Sequence, residues 1–338
     1  MERKMVTIRK IDSIQPIEGA DLIHAVKIGG WTVVAQKSMG YEVGHLVCYA
    51  EIDSFIPTEV APFLTQEGKE PKEYKGIRGE RLRTKKLKGV ISQGLLLPLS
   101  VLDNVESELM EGLDVSVPLG VVKWEPPAEF QSPDAKGLFP SFIPKTDQER
   151  IQNLSKDFQK WKEEGTIWEV TEKLDGSSMT VFYKDGEVGV CSRNLELKED
   201  ENNTFWKAAK SSGAYSVLKN KGLNIALQGE LIGPGIQGNK YCLTDHVYFI
   251  YDIFDIDKQE YFLPEERQKF VKDTFLNHVP VLDSALALKE ESIEDVLKSA
   301  EAKSIVGAFP EREGLVFKSK TSQDSFKAIS NKWLCKFE

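Results

Sequence analysis

The sequence is poor in the residues that build disulfide frameworks and metal clusters. It has four cysteines, Cys48, Cys191, Cys242 and Cys335, and four histidines among 338 residues. The cysteines are far apart and form no Cys-x-x-Cys pair, and the histidines make no zinc-type cluster. These absences argue against a disulfide-stapled secreted scaffold and a zinc finger. They favour buried free thiols in a reducing cytosol or nucleus.

Long apolar runs are lacking as well, so no segment is long enough to cross a membrane as a helix. Met1-Glu2-Arg3-Lys4 leads into alternating residues rather than into the apolar core of a signal peptide. We therefore expect a soluble cytoplasmic or nuclear protein without a targeting signal. Its length of 338 residues leaves room for two domains.

The charge is acidic overall but unevenly distributed. A net charge of −9 argues against a general nucleic-acid coat protein. Residues 69–88, called the basic segment below, carry nine basic against three acidic residues, a local charge of +6. This segment is interpreted either as a solvated loop or as a patch that contacts the phosphates of a nucleic acid. The nine basic residues are Lys69, Lys72, Lys75, Arg78, Arg81, Arg83, Lys85, Lys86 and Lys88.

Residues 1–120 show the pattern of many short strands. Ile23 to Ile28 and Trp31 to Ala35 flank Gly29-Gly30, which is a typical two-residue hairpin turn. Further strands are predicted at Val6 to Ile11, His45 to Tyr49 and Val90 to Leu97. Several short strands in about 100 residues predict a small OB-like barrel, an architecture that can bind nucleic acid.

A proline-rich stretch, residues 121–145, is interpreted as an extended linker. Thr146-Asp147-Gln148-Glu149 has the pattern of a capping box, which predicts that a helix starts there. Apolar residues then recur at helical spacing, and Gly165 ends the helix. These apolar residues are Ile151, Leu154, Phe158 and Trp161.

From Thr166 onward the pattern changes to strands with a few helices, which predicts an α+β domain of antiparallel sheets over residues 146–338. Asp185-Gly186 joins two strands as a hairpin turn. Pro264 opens one helix as its first residue, and Ser292 caps another, with Asp295 in its first turn. The other predicted strands are Trp168 to Glu172, Met179 to Tyr183, Glu187 to Ser192, Leu227 to Ile232, Val247 to Phe254, Gly314 to Ser319 and Ser325 to Ile329.

The run Glu172-Lys173-Leu174-Asp175-Gly176 contains a candidate nucleophile, Lys173. A lysine can attack a nucleotide phosphate only as a neutral amine, so its pKa must fall. A divalent metal held by carboxylates is the strongest local charge that can lower it. The reaction also needs cations on the triphosphate and a planar platform for the base.

Later segments supply these groups in a fixed order. Glu230 lies mid-strand between apolar residues, Glu313 opens another apolar strand, and Lys327 lies inside the last strand. Phe249 and Tyr251 share one face of a strand because side chains alternate. Taken singly, these residues are salt-bridged glutamates, core aromatics and a surface lysine, and Arg150 is an exposed helix arginine. Their joint order is what favours a catalytic site.

That order resembles the covalent nucleotidyltransferase superfamily, which contains ATP-dependent ligases of RNA and DNA and mRNA-capping guanylyltransferases. The resemblance covers residues 146–338. Its five motifs match at Lys173 to Gly176, at Glu230, at Tyr248 to Ile253, at Glu313-Gly314 and at Lys327.

Within the superfamily the chain is most similar to RNA ligases. DNA ligases usually carry arginine where this chain has Ser178, and only eleven residues follow Lys327, too few for a C-terminal OB domain. One nick-sealing RNA ligase family carries an OB-like domain at its N-terminus, which residues 1–120 resemble. The resemblance then extends over the whole chain.

The resemblance implies three steps on a nicked RNA duplex. Lys173 attacks the α-phosphate of ATP, AMP passes to the RNA 5′-phosphate, and a 3′-hydroxyl then expels AMP. Asp175, Glu230 and Glu313 would hold Mg²⁺ or Mn²⁺ through its waters. The remaining nucleotide-binding residues that it implies are Glu172 beside the adenine edge, Gly176, Tyr251 or Phe249 against the adenine face, Arg150, Arg193 and Lys327.

One motif departs from the family pattern. Related RNA ligases often have Lys-x-Lys at the last motif, but here Lys327-Ala328-Ile329 lacks the second lysine, which leaves Lys318 or Lys332 as its replacement. A GTP-dependent capping-type guanylyltransferase and a non-catalytic RNA-binding protein stay open as alternatives. We expect the ligase to act as a monomer.

Overall fold

A computed structural model describes residues 3–102, 108–125 and 133–337. Two compact units emerge, one of Met1–Pro127 with Leu334–Glu338 and one of Ala128–Trp333. They are called the N-terminal and the C-terminal unit below. The predicted domain boundaries at 120 and 145 stay predictions.

The N-terminal unit consists of short antiparallel strands. The Gly29-Gly30 hairpin forms as predicted, because Ile28 pairs with Trp31 across it. The sheets have the orders β1-β5-β11, β2-β3-β4, β12-β6-β8-β7 and β10-β9. The strands are β1 Val6–Lys10, β2 Ser13–Pro16, β3 Ile23–Ile28, β4 Trp31–Gln36, β5 Leu46–Ala50, β6 Ser54–Pro57, β7 Lys72–Tyr74, β8 Ile77–Arg81, β9 Lys85–Leu87, β10 Val90–Ser92, β11 Leu95–Leu97 and β12 Val122–Lys123.

The C-terminal unit combines two sheets with helices. Its strands are β13 Ala135–Leu138, β14 Ile167–Lys173, β15 Ser177–Lys184, β16 Glu187–Cys191, β17 Leu195–Leu197, β18 Ile225–Ile232, β19 Val247–Asp255, β20 Glu260–Tyr261, β21 Val281–Ala287, β22 Gly314–Ser319 and β23 Ser325–Ile329. Its helices are α1 Ser155–Glu164, α2 Thr204–Ser211, α3 Ala214–Lys221, α4 Pro264–Asp273 and α5 Ile293–Ser299, and α6 Asn331–Phe337 follows at the C-terminal end. The mixture of antiparallel sheets and few helices confirms the predicted α+β class.

The two sheets of the C-terminal unit have separate apolar cores. The seven-stranded sheet, in the order β13-β17-β16-β15-β18-β19-β20, buries residues such as Val181 and Leu227 with Trp206 of α2. The four-stranded sheet, β21-β14-β22-β23, packs Trp168 and Phe326 with Trp161 of α1. Burial of such large apolar side chains stabilises each layer by about 2 to 3 kcal/mol per residue.

The stretch interpreted as a linker belongs to the sheets at its two ends. Strand β12 pairs with β6 of the N-terminal unit, and β13 pairs with β17 of the C-terminal unit. Both strands are too short to show a clear alternating pattern in the sequence. The middle of the stretch, residues 126–132, lies outside the described residues.

The predicted capping box is wrong. Helix α1 begins at Ser155, after a 3-10 turn at Ile151–Asn153, and its N-cap Leu154 makes no side-chain hydrogen bond. The Thr146 hydroxyl instead lies 2.8 Å from the Tyr251 hydroxyl, a partner 105 residues away. Tertiary structure therefore overrides a local signal, although the apolar face of the helix packs as predicted and Gly165 ends it.

Other local predictions are confirmed. Asp185-Gly186 forms the turn between β15 and β16, with φ angles of 51° and 98° that suit a tight hairpin. Pro264 is the first residue of α4, and Ser292 with Asp295 forms a complete capping box on α5.

The expectation of buried thiols holds for only half of the cysteines. Cys48 and Cys191 are buried, whereas Cys242 and Cys335 are exposed. Among the described residues, no helix has both the length and the apolar character that crossing a bilayer requires.

Candidate active site

The pairing of two strands brings the candidate nucleophile next to a glutamate. Lys173 is the last residue of β14, and it pairs with Gly314, the first residue of β22. Glu313 directly precedes Gly314, so its side chain lies beside Lys173. The Lys173 Nζ donates a hydrogen bond of 2.7 Å to Glu313 Oε1.

A second glutamate reaches the same turn from the other sheet. Glu230 lies on β18, and its Oε1 accepts a 3.0 Å hydrogen bond from the Gly176 N–H. A Cβ atom at residue 176 would lie 2.4 Å from the Leu231 carbonyl oxygen. Only glycine therefore lets the turn after Lys173 approach β18 so closely.

The site is crowded with negative charge. Burial alone would lower the pKa of Lys173, but the carboxylates of Glu313, Glu230 and Asp175 outweigh it and raise that pKa. Burial raises the pKa of Glu230 to about 8, and Glu313 and Asp175 push it in the same direction. The pKa of Glu313 is raised too, by burial first and then by Asp175, against the opposing effect of Lys173. Lys173 is thus held as an ammonium, the opposite of what a nucleophile needs.

Two residues that sequence reasoning missed hold Asp175. The Asp175 N–H donates a 2.8 Å hydrogen bond to the Tyr241 hydroxyl, and the Lys240 ammonium pairs with the Asp175 carboxylate. Both residues lie in the loop between β18 and β19. That loop has no periodic pattern, so nothing in the sequence singled them out.

The two aromatic residues of the predicted platform lie close together. Phe249 and Tyr251 lie on one face of β19, half-buried, and pack against a small apolar cluster that includes Leu174, the residue after the candidate nucleophile. This confirms that they share a face. Burial, with Glu230 nearby, raises the pKa of Tyr251 to about 12, so its hydroxyl stays protonated.

Glu172 offers an unused acceptor beside Lys173. It is 1 % exposed, and its Oε2 accepts a 3.1 Å hydrogen bond from the Ile305 N–H. Its Oε1 is buried and meets no hydrogen-bond geometry with a partner within the described part of the chain. Burial raises the pKa of this carboxyl, and the neighbouring Ser304 hydroxyl opposes that rise. A buried acceptor without a partner is costly, which suits a site where a ligand supplies the donor.

Lys327 and Arg150 lie side by side. Lys327 Nζ donates a 2.7 Å hydrogen bond to Asp147 Oδ1, and burial lowers its pKa to about 8. The backbone of Arg150 forms an isolated parallel β-bridge with the backbone of Lys327, and Arg150 is 5 % exposed. The interpretation of Arg150 as an exposed helix arginine is therefore wrong. Arg150 precedes helix α1, is buried, and pairs through its backbone with Lys327 of β23.

The two candidates for the missing second lysine differ in their surroundings. Lys318 is buried, and its ammonium donates to the Tyr251 carbonyl and to the Asp252 carboxylate. Lys332 is exposed and pairs with Glu301 at 3.3 Å. Only Lys318 contacts a strand of the aromatic platform directly. Arg193 is exposed in the turn between β16 and β17.

The carboxylates fit a divalent cation that keeps part of its water shell. Within residues 3–102, 108–125 and 133–337, no three acidic, histidine or cysteine side chains are close enough to ligate a metal together. Lys173 and Lys240 instead pair with Glu313 and Asp175. Glu313 Oε2 is nevertheless buried without a hydrogen-bond partner among these residues. Excess negative charge with a spare oxygen suits a hard cation bound through its waters.

Comparisons with known proteins identify the relatives of this chain. A family model described as RNA ligase matches residues 166–333, and an OB-fold domain model matches residues 5–99. A structure of a Naegleria gruberi RNA ligase mutant with AMP and Mn is 44 % identical over 98 % of each chain, with a TM-score of 0.90. Structures of that ligase with pyrophosphate and, as a mutant, with ATP and Mn have the same identity and coverage and TM-scores of 0.89. No curated protein matches the chain.

Proposed function

Because the chain belongs to the RNA ligase family, we propose that it seals 3′-hydroxyl/5′-phosphate nicks in RNA through an AMP bound to Lys173. The observation that carries this proposal is the position of one lysine amine, 2.7 Å from Glu313, among three carboxylates. Structures of a relative 44 % identical to this chain contain ATP, AMP and Mn. They support ATP as the nucleotide and a divalent metal as cofactor.

In the first step a nitrogen–phosphorus bond forms between Lys173 Nζ and the α-phosphate of ATP, and pyrophosphate leaves. Glu313 is the nearest acceptor for the proton that the amine loses. A divalent metal, when bound at these carboxylates, supplies the positive charge that offsets them and lets the pKa of Lys173 fall. Asp175, Glu230 and Glu313 are the residues that would hold it.

The nucleotide is positioned by groups on both sheets. In this proposal Glu172 Oε1 accepts a hydrogen bond from the adenine amine, and Tyr251 or Phe249 stacks on the base. Lys327, with Arg150 beside it, supplies positive charge for the α-phosphate. Because the pKa of Lys327 is about 8, it is mostly charged at neutral pH.

The next two steps transfer AMP to the RNA 5′-phosphate and then form the phosphodiester bond. An oxygen of the RNA 5′-phosphate attacks the α-phosphorus, the bond to Lys173 breaks, and an RNA-adenylate forms. The 3′-hydroxyl oxygen then attacks the 5′-phosphorus and loses its proton to solvent, and AMP leaves with the bonding electron pair. Lys173 returns to its pairing with Glu313, which regenerates the starting enzyme.

Labelling with α-³²P-ATP and Mn²⁺ tests the first step. The wild-type protein should form an acid-labile labelled adduct, and Lys173→Met should form none because the nucleophile is gone. Lys184→Met is the matched control, since Lys184 pairs with Asp185 on an exposed turn, and it should label like the wild type. An unchanged adduct in Lys173→Met would exclude the proposal, and labelling by GTP instead of ATP would favour a guanylyltransferase.

A further inference from the structure

Asp175 is held by two consecutive residues of one loop. The Tyr241 hydroxyl accepts a hydrogen bond from the Asp175 backbone N–H, and the Lys240 ammonium pairs with the Asp175 carboxylate. The side chains of Asp175 and Lys240 are only 12 % and 21 % exposed. Solvent therefore screens their attraction less than that of a surface pair.

The loop presents Lys240 in a defined position. Tyr241 is 4 % exposed, and its carbonyl oxygen accepts a 2.9 Å hydrogen bond from the Ala308 N–H. A Cβ atom at Gly307 would lie 2.1 Å from the same oxygen, so the two segments are in close contact. The Lys240 Nζ also lies 5.0 Å from the centre of the Trp333 ring. These contacts fix the ammonium beside Asp175.

We propose, on the premise of the proposed function, that Lys240 is a positioning residue that couples metal binding to ATP binding. In the nucleotide-free enzyme its ammonium occupies the carboxylate that the metal needs. When ATP binds, the Lys240 ammonium pairs with a phosphate oxygen instead of with Asp175. The Asp175 carboxylate is then available to the metal.

Electrostatics gives the reason for this exchange. An ammonium and a divalent cation repel each other, so the same carboxylate oxygen cannot bind both at low cost. The Lys240 ammonium is largely buried, so it needs another anion when it loses the Asp175 carboxylate. The triphosphate of ATP provides that anion. Metal and nucleotide therefore bind better together than apart, with a coupling that is reciprocal.

The coupling predicts how Mn²⁺ binds in the absence of nucleotide, measured by electron paramagnetic resonance of free Mn²⁺. Lys240→Met should bind Mn²⁺ more tightly than the wild type, by about 5- to 150-fold, the usual range for coupled sites. Lys240→Arg keeps the charge and should bind Mn²⁺ like the wild type. In the presence of EDTA, Lys240→Met should bind ATP more weakly than the wild type.

Lys303→Met is the matched control. It removes the same charge from an exposed pair with Glu311, in the segment that packs on Tyr241, and should leave Mn²⁺ binding unchanged. Lys240→Gln serves as the second variant if the methionine variant does not fold. Equal or weaker Mn²⁺ binding by folded Lys240→Met or Lys240→Gln would overturn the inference. The proposed function stands or falls separately, by whether the wild-type protein is labelled with ATP.

Discussion

At the scale of single residues, the site balances one amine against more negative charge than it can neutralise. Glu230 and Glu313 are both buried enough for their pKa values to be raised, and they share Lys173 as a cation. The pKa of Lys173 is raised in return. The carboxylates that keep Lys173 protonated are the same ones that would hold the metal under the proposed function, which would make the reactivity of Lys173 depend on that cation.

Glu172 allows a prediction about nucleotide choice. Glu172→Gln should keep one oxygen for the Ile305 N–H and turn an amide N–H₂ toward the base, where adenine presents a donor and guanine an acceptor. The loss of a hydrogen bond to a charged group costs about 1.5 to 3 kcal/mol. ATP affinity should therefore fall about 10- to 100-fold relative to GTP, as measured by competition in the labelling assay. Glu163→Gln, on an exposed helix face, is the control. An unchanged ATP-to-GTP ratio in Glu172→Gln would show that Glu172 does not contact the base.

At the scale of elements, buried ions tie the strands of the site together. Arg267 of α4 pairs with Glu169 of β14 and lies 3.7 Å from Asp252 of β19. Asp252 in turn pairs with Lys318 of β22. The cluster therefore connects the strand that ends at Lys173 with the strand of the aromatic platform, and both sheets are held in place behind the site.

Breaking this cluster should destabilise the protein much more than breaking a surface pair on the same helix. Arg267→Met leaves Glu169, which is 0 % exposed, without its main cation, so the free energy of unfolding should fall by about 3 to 5 kcal/mol. Lys269→Met breaks only the exposed pair with Asp273, which solvent screens, and should leave the free energy of unfolding nearly unchanged. Urea unfolding of the two variants measures the difference. Equal effects would mean that the buried cluster does not hold the sheets.

At the scale of the whole molecule, the basic segment of the N-terminal unit stays a predicted contact surface for RNA phosphates. Within the basic segment, Lys72, Arg78 and Arg81 pair with acidic residues. Lys85, Lys86 and Lys88 are exposed on the β9–β10 hairpin, and no ion pair is found for them among the residues that the structure describes. The hairpin is thus the part of the segment whose charge is most available to phosphates.

Replacing these three lysines by serine should weaken nick sealing while sparing the labelling of Lys173. The slope of log affinity for nicked RNA against log salt should become shallower by roughly 2 to 3, because about three phosphate contacts are lost. A control variant with Lys156, Lys207 and Lys298 replaced by serine has the same net charge and should keep the slope. If the hairpin variant keeps both the slope and the sealing rate, RNA does not contact this hairpin.

Features that depend on short-range order follow from the amino-acid sequence alone. The α+β class, the hairpin turns at Gly29-Gly30 and Asp185-Gly186 and the cap at Ser292 follow from local backbone preferences. The shared face of Phe249 and Tyr251 follows from strand alternation, and the membership in the RNA ligase family follows from motif order.

The tertiary structure alone decided which side chains meet across long separations. Thr146 bonds to Tyr251 rather than capping a helix, Arg150 is buried, and Lys240 reaches Asp175 from a loop without pattern. Local sequence encodes conformation through neighbours on the chain. An ion pair between residues 65 positions apart depends on how the strands and loops pack, and no local pattern records it.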